Sequence, residues 1–153
     1  MVSEATNPGG LRALVDRFNE NCDSIPHWLL AMIARVSVAT VFWNSARTKV
    51  DGFSLRDSTF YLFENEYALP LVPFELAAYM ATIAEHVFSV LLFVGLASRL
   101  SALALLLMTI VIQVFVYPNA WPTHIFWVMG LAYVIGCGPG PLAIDRLIAK
   151  KIA

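Results

Sequence analysis

Charge is scarce in this chain. Only 14% of its 153 residues are Asp, Glu, Lys or Arg, and the formal net charge is −1; soluble domains carry about 25% charged residues. No basic excess is present to attract a nucleic acid. Cysteine is scarcer still. Cys22 and Cys137 stand far apart without a CxxC, which argues against a disulfide framework, a zinc site or a thiol relay. No flavin, nucleotide, haem or iron–sulfur motif is visible, so any redox cofactor has to be borrowed from a partner. No internal repeat or low-complexity tract is found.

What fills the chain instead is apolar. Hydrophobic residues make up 59% of it, against about 45–50% in soluble domains, and mean hydropathy is +0.70. The expectation is an all-α, polytopic membrane four-helix bundle in one domain. The first 25 residues are polar and lack the basic start and apolar centre of a cleavable signal. Asn7-Pro8-Gly9-Gly10 reads as flexible. Leu11, Leu14, Val15 and Phe18 then fall at i, i+3, i+4, i+7, the stripe of a short helix lying on the membrane.

Four spans are expected, at about 26–46, 76–97, 100–117 and 123–137. Ser98-Arg99 is a minimal connection between the second and third. Pro118 to Pro122 reads as a tight turn carrying a belt tryptophan, Trp121. Gly138-Pro139-Gly140-Pro141 stops the fourth span, and 142–153 reads as a short amphipathic tail. Between the first two spans, 47–75 is rich in Phe, Tyr and Leu but is broken by charges, Pro70 and Pro73. It reads as one or two interfacial helices capping the bundle, after a turn at Asp51-Gly52. Arg12, Arg17, Arg99, Arg146, Lys150 and Lys151 fall on the side of the termini, against Arg47, Lys49 and Arg56 on the other. The basic excess places both termini in the cytoplasm.

The chemistry is expected where polar groups enter the spans. Glu85 sits near the middle of the second. A carboxylate at that depth costs roughly 2.5–3.5 kcal/mol on insertion scales, so it must turn inward and find a partner or a proton. Counted from the outer ends, Arg35 lies roughly 16 Å inside and Glu85 roughly 13 Å, which suggests an Arg35–Glu85 pair. Such a pair is either a clasp between the first two helices or the floor of a polar pocket. Gln113, His124 and Asn44 lie nearer the outer face, and together these groups suggest a funnel opening outward. Trp127 is among the aromatics crowding that region. Aromatics with a few convergent polar groups suit a flat amphiphile such as a quinone. His86 and His124 differ in depth by roughly 10 Å or more, which disfavours a shared haem, and no metal-ligand spacing stands out.

These residues also carry a resemblance. Arg35 followed by Phe42-Trp43-Asn44-Ser45-Ala46-Arg47-Thr48-Lys49, then Glu85, then Gly95-Leu96-Ala97-Ser98-Arg99, then Gly138-Pro139-Gly140-Pro141-Leu142-Ala143-Ile144-Asp145 resembles the DoxX family over about 28–147. The chain departs in Asn44-Ser45-Ala46, in Ala143 and in a longer, more aromatic outer loop. The resemblance implies a four-helix protein of the bacterial inner membrane, with Arg35, Lys49 and Glu85 at motif positions. It also implies kinship with small subunits of quinone-linked oxidoreductases, with partners of redox-defence enzymes and with proteins encoded beside metal-stress systems.

The expected function is therefore a membrane subunit coupling a partner oxidoreductase to the quinone pool. Glu85 and Arg35 would act on the quinone, and Gln113, His124, Trp127, Asn44 and Lys49 would help to hold it. The alternatives are a non-catalytic anchor or assembly partner, with the intramembrane pair purely structural, and a small transporter or metal-stress factor. An oligomer is compatible with each.

Overall fold

The computed structural model describes residues 10–152. The stretch Asn7-Pro8-Gly9, expected to be flexible, lies outside the described residues. Helix α1 (Gly10–Asp23) carries the anticipated apolar stripe, and none of its residues is buried. Pro26 then fixes an extended φ of −70° and α2 (His27–Thr48) begins, as proline at a helix entrance favours.

Among the described residues, four helices are long and apolar enough to cross a membrane: His27–Thr48, Phe74–Val94, Ser98–Val116 and Pro118–Cys137. The second of these is α4. The third is α5 (Ser98–Val111) extended by a π-helical turn, Ile112–Val116. The fourth is α6 (Trp121–Cys137), entered through a 3₁₀ turn at Pro118–Ala120. Trp121 and Pro122 are thus the first turn of the helix and not part of the preceding loop; a proline there loses no hydrogen bond. The α4–α5 connection is likewise three residues, 95–97, and Ser98-Arg99 opens α5.

The helices close into a ring in which α2 packs on α4 and α6, α4 on α5, and α5 on α6. Each contributes one stripe to the interior. On α2 the buried residues are Ala31, Arg35, Val38, Ala39, Phe42 and Ala46, and on α4 Ala77, Ala78, Thr82, Glu85, Ser89 and Leu92. Small and hydroxylated side chains dominate these stripes, as expected where lipid offers no hydrophobic drive and close backbone approach must hold helices together. The larger core residues Phe42, Leu92, Leu105, Leu131 and Val134 fill the centre. Large apolar side chains on the outward faces, such as Leu107, Ile110, Val114 and Phe126, are exposed. A bilayer is the solvent that suits them.

The 47–75 segment caps one end. A two-residue hairpin pairs Val50 with Leu55 and Asp51 with Ser54. Gly52 at its tip has φ +60°, the conformation that glycine supplies in tight hairpins. Helix α3 (Asp57–Leu62) and a π-helical turn, Phe63–Tyr67, follow. Phe63 packs with Ala77 and Ala78 of α4, flanked by Leu55, Phe60, Tyr67 and Val72. The expected interfacial helix is present; the hairpin before it was foreseen only as a turn.

The opposite end is closed by the start of α7 (Ile144–Ile152). Asp145 accepts hydrogen bonds from the Ala97 and Ser98 N–H groups at 2.7 and 2.8 Å, while its own N–H donates to the Gly95 carbonyl at 2.9 Å. The first donors of α5 are thereby capped by a residue far along the chain. Burial pushes the Asp145 carboxyl up, but the Ser98 and Ala97 hydrogen bonds and the positive field of Arg35 outweigh it and hold it below its usual range. The stability this confers is fully present above the ordinary carboxyl range and is lost as pH falls through the depressed folded-state value. Asp145→Asn should therefore lower stability at neutral pH by about 1 kcal/mol. In detergent melts, the gap to the unmodified protein should close below about pH 4.

Candidate functional site

Arg35 and Glu85 both lie on buried stripes, as anticipated, but they do not meet. The reason is the direction of the side chains. In a helix the Cα–Cβ bond tilts toward the N-terminus. On α2 that sends Arg35 toward the end where the chain termini lie. Its guanidinium comes to rest beneath Gly95 and Ala143, with Nε and Nη1 buried and without a hydrogen-bond partner among the described residues. A side chain on Gly95 would strike the guanidinium, and the glycine's φ of +77° is one other residues rarely adopt.

The same tilt brings Lys49, at the far end of α2, back into the bundle. Glu85 lies on the antiparallel helix and leans the opposite way, so the two converge. Lys49 Nζ donates to Glu85 Oε2 at 2.8 Å and Oε1 at 3.0 Å. It also donates to Ser45 Oγ at 2.9 Å and to the Ser45 carbonyl at 3.2 Å, and the Ser45 hydroxyl donates to Glu85 Oε1 at 3.1 Å. Lys49 is 5% exposed and Glu85 3%, so this is a desolvated ion pair with its ammonium protons satisfied. The Arg35–Glu85 pair is thus corrected to Lys49–Glu85. Ser45, one helical turn before Lys49, is the member that sequence reasoning missed.

The pair forms part of the wall of an interior cavity of about 170 Å³. His124 and Trp127 enter the lining from α6, Phe42 from α2, and Tyr67 and Phe63 from the capping segment, with Tyr117 at the end of the third span. His124 is 3% exposed. Its Nδ1 meets Gln113 Oε1 at 2.6 Å, and Gln113 Nε2 donates to the Pro118 carbonyl at 2.6 Å. The carbonyl fixes which end of the Gln113 amide faces the ring. His124 Nδ1 is therefore the donor, and in the neutral ring Nε2 is left as an acceptor. The His124 and Trp127 rings lie 4.7 Å apart, and Trp127 meets Phe42 edge-on at 5.6 Å.

Tyr67 and Tyr117 cross edge-on at 5.7 Å. Burial above all, reinforced by Tyr117 and Glu85, pushes the Tyr67 phenol well above its ordinary range, so it stays protonated. Tyr67 ends the π-helical turn Phe63–Tyr67 and Tyr117 follows the other, Ile112–Val116, a distortion found frequently at functional sites. Lys49, Gln113, His124 and Trp127 are thus gathered as expected, with Gln113 one step behind the lining. Asn44 is not; it is exposed on a face turned away from the cavity, which is lined from α2 by Val41, Phe42, Ser45 and Lys49. Among the described residues, no group of three or more His, Cys, Asp or Glu side chains could hold a metal ion.

Compared with known proteins, the chain matches one family model, DoxX, over residues 30–118. No curated protein and no solved structure gives a significant match.

Removing one partner of a buried ion pair leaves the other charge unpaired and costs about 3–5 kcal/mol. Lys49→Met should therefore destabilise the bundle strongly, and Lys49→Met with Glu85→Leu should recover most of the loss. A double-mutant cycle of Arg35→Gln with Glu85→Gln should be additive to within about 0.5 kcal/mol. Thermal unfolding in detergent measures all of these.

Proposed function

The chain belongs to the DoxX family, and from that premise we propose that it is a membrane subunit whose interior cavity receives a quinone head group and couples a partner oxidoreductase to the quinone pool. The observation that carries the reading is the pairing of an aromatic-lined cavity with polar groups contributed from separate helices. Glu85, backed by Lys49 and Ser45, lines it from α4, and His124 from α6.

Lys49 spends its protons on Glu85 and Ser45. The groups left facing a ligand are therefore acceptors, the carboxylate and the unprotonated His124 Nε2. Two acceptors suit a ligand with two hydroxyl donors, which is what a quinol head presents. Reduction of a quinone takes up two electrons and two protons. In this reading the electrons come from the partner enzyme and the protons from water, each taken up first by Glu85 or His124 Nε2 and then passed to a quinone oxygen, which returns both groups to the acceptor state that holds the quinol. Trp127 and Phe42 supply the apolar faces against which a flat ring stacks. Gln113 is a positioning residue, acting through the His124 tautomer. A cavity of about 170 Å³ admits a ring and leaves an isoprenoid tail to the lipid.

The orientation proposed is that of the basic residues. With Lys49 drawn into an internal ion pair, the capping side keeps Arg47 and Arg56, against six basic residues on the side of the termini. The termini then face the cytoplasm of a bacterial inner membrane and the cavity lies toward the outer face.

A second reading has a specific observation in its favour. The Lys49–Glu85–Ser45 network is internally satisfied, as a purely structural clasp would be, and the protein would then serve as an anchor or assembly partner. Quinone titration separates the two. With a short-chain quinol analogue, tryptophan fluorescence should quench saturably at one site per chain. His124→Leu should weaken binding about tenfold, the loss of one hydrogen bond to a buried acceptor. Unsaturable quenching, indifferent to His124→Leu in a protein that still melts cooperatively, would leave the anchor.

A further inference from the structure

Residues adjacent on a helix point about 100° apart, so with Glu85 turned into the bundle, His86 lies to one side of it. There it borders an open groove of about 740 Å³ on the seam between α2 and α4, under the hairpin. Trp43 and Arg47 line this groove from α2, Thr82 and His86 from α4, and Phe53 and Leu55 from the hairpin. Trp43 also lines a narrower apolar slot of about 240 Å³ farther along the same seam, between Thr40 and Val90. The groove and slot share Trp43, and neither shares a lining residue with the interior cavity.

The polar groups of the groove are underused. Thr82 is 4% exposed, and its Oγ1 is buried with no hydrogen-bond partner among the described residues. Helical threonines ordinarily return that hydroxyl to the carbonyl one turn back, as Thr109 does to Leu105 and Thr40 to Val36, each at 2.8 Å. His86 engages the Thr82 carbonyl through Nδ1 at 2.8 Å, which leaves Nε2 free of that bond. The Trp43 ring meets His86 edge-on at 5.4 Å. Among the described residues Arg47 has no ion-pair partner, and it stands near the end of a span, at headgroup level.

We propose that this seam binds one anionic phospholipid from the bilayer. Its phosphate is held by Arg47 with Thr82 and His86, and one acyl chain runs past Trp43 into the slot between Thr40 and Val90. A guanidinium matches phosphate oxygens in a bidentate fork, and because Arg47 has no carboxylate paired with it among the described residues, it favours a headgroup of net negative charge over one that carries its own ammonium. The slot selects a lipid over a free anion, because an apolar channel continues from the polar end toward the middle of the membrane. The neighbouring Ile83, Val87 and Phe93 are exposed on the same face, so a lipid reaches the seam from the side without opening the bundle.

Native mass spectrometry of the full chain in mild detergent tests this with phosphatidylglycerol, phosphatidylcholine and inorganic phosphate as probes. One phosphatidylglycerol should be retained per chain in preference to phosphatidylcholine. Arg47→Gln should cut that preference about fivefold, the worth of one basic residue at an anionic headgroup. Val90→Trp, which fills the slot and leaves the charge in place, should lower retention of the lipid as well. Both positions are exposed, so neither change disturbs the core, and unchanged melting temperatures check this. Equal retention of the two lipids, or retention indifferent to either variant, would overturn the proposal. Displacement of the lipid by inorganic phosphate would overturn it too, by showing an anion site with no role for the chain.

Discussion

A carboxylate buried among membrane helices needs a cation, and the geometry of the helix decides which cation can serve. Arg35 lies within α2 and Lys49 caps its end, and both are buried. Only the one whose side chain leans toward the middle of the bundle reaches Glu85. Because α2 and α4 run antiparallel, a residue near the end of α2 and one near the middle of α4 lean toward each other, while Arg35 leans away. The ion pair therefore fixes the register of the two helices as well as their contact. A one-turn slip would move the ammonium about 5.4 Å along the axis and strand both charges.

The same lysine ties the cap to the bundle. Its backbone carbonyl accepts from the Arg56 N–H at 3.0 Å and from Thr59 Oγ1 at 2.8 Å. Its side chain faces the cavity, and its main chain holds the segment that roofs it. Phe63 and Tyr67 enter the cavity lining from that segment. The shape of the recess and the state of the ion pair are thus coupled through one residue, which makes local opening of the cap a change in the environment of Glu85.

The four spans were legible because apolar runs near twenty residues have few alternative explanations. Their ends were less so. Trp121 and Pro122 resemble a turn in sequence, yet a proline in the first helical turn is equally at home. The hairpin was legible only at Asp51-Gly52, since two-residue strands have no periodicity to detect. The π-helical turns leave no compositional trace. Glu85, Lys49, His124, Gln113 and Trp127 could be picked out as unusual residues in apolar company. Their partners could not be assigned by depth alone, because depth measures Cα positions while long side chains reach several ångströms along the axis. Adding the lean of the Cβ bond to the count separates Lys49 from Arg35. It also draws attention to Ser45, one turn from Lys49 on the same face. Asn44 has the right height and the wrong azimuth.

The clamp at the other end has a bearing on biosynthesis. The amide groups that open α5 are held by a side chain lying 47 and 48 positions later in the chain. The α4–α5 turn is synthesised before that aspartate, so its amide groups have no such acceptor while the helices beside it first form. Those amide groups must turn to water until α6 and the start of α7 have followed, and only then can the ring be locked.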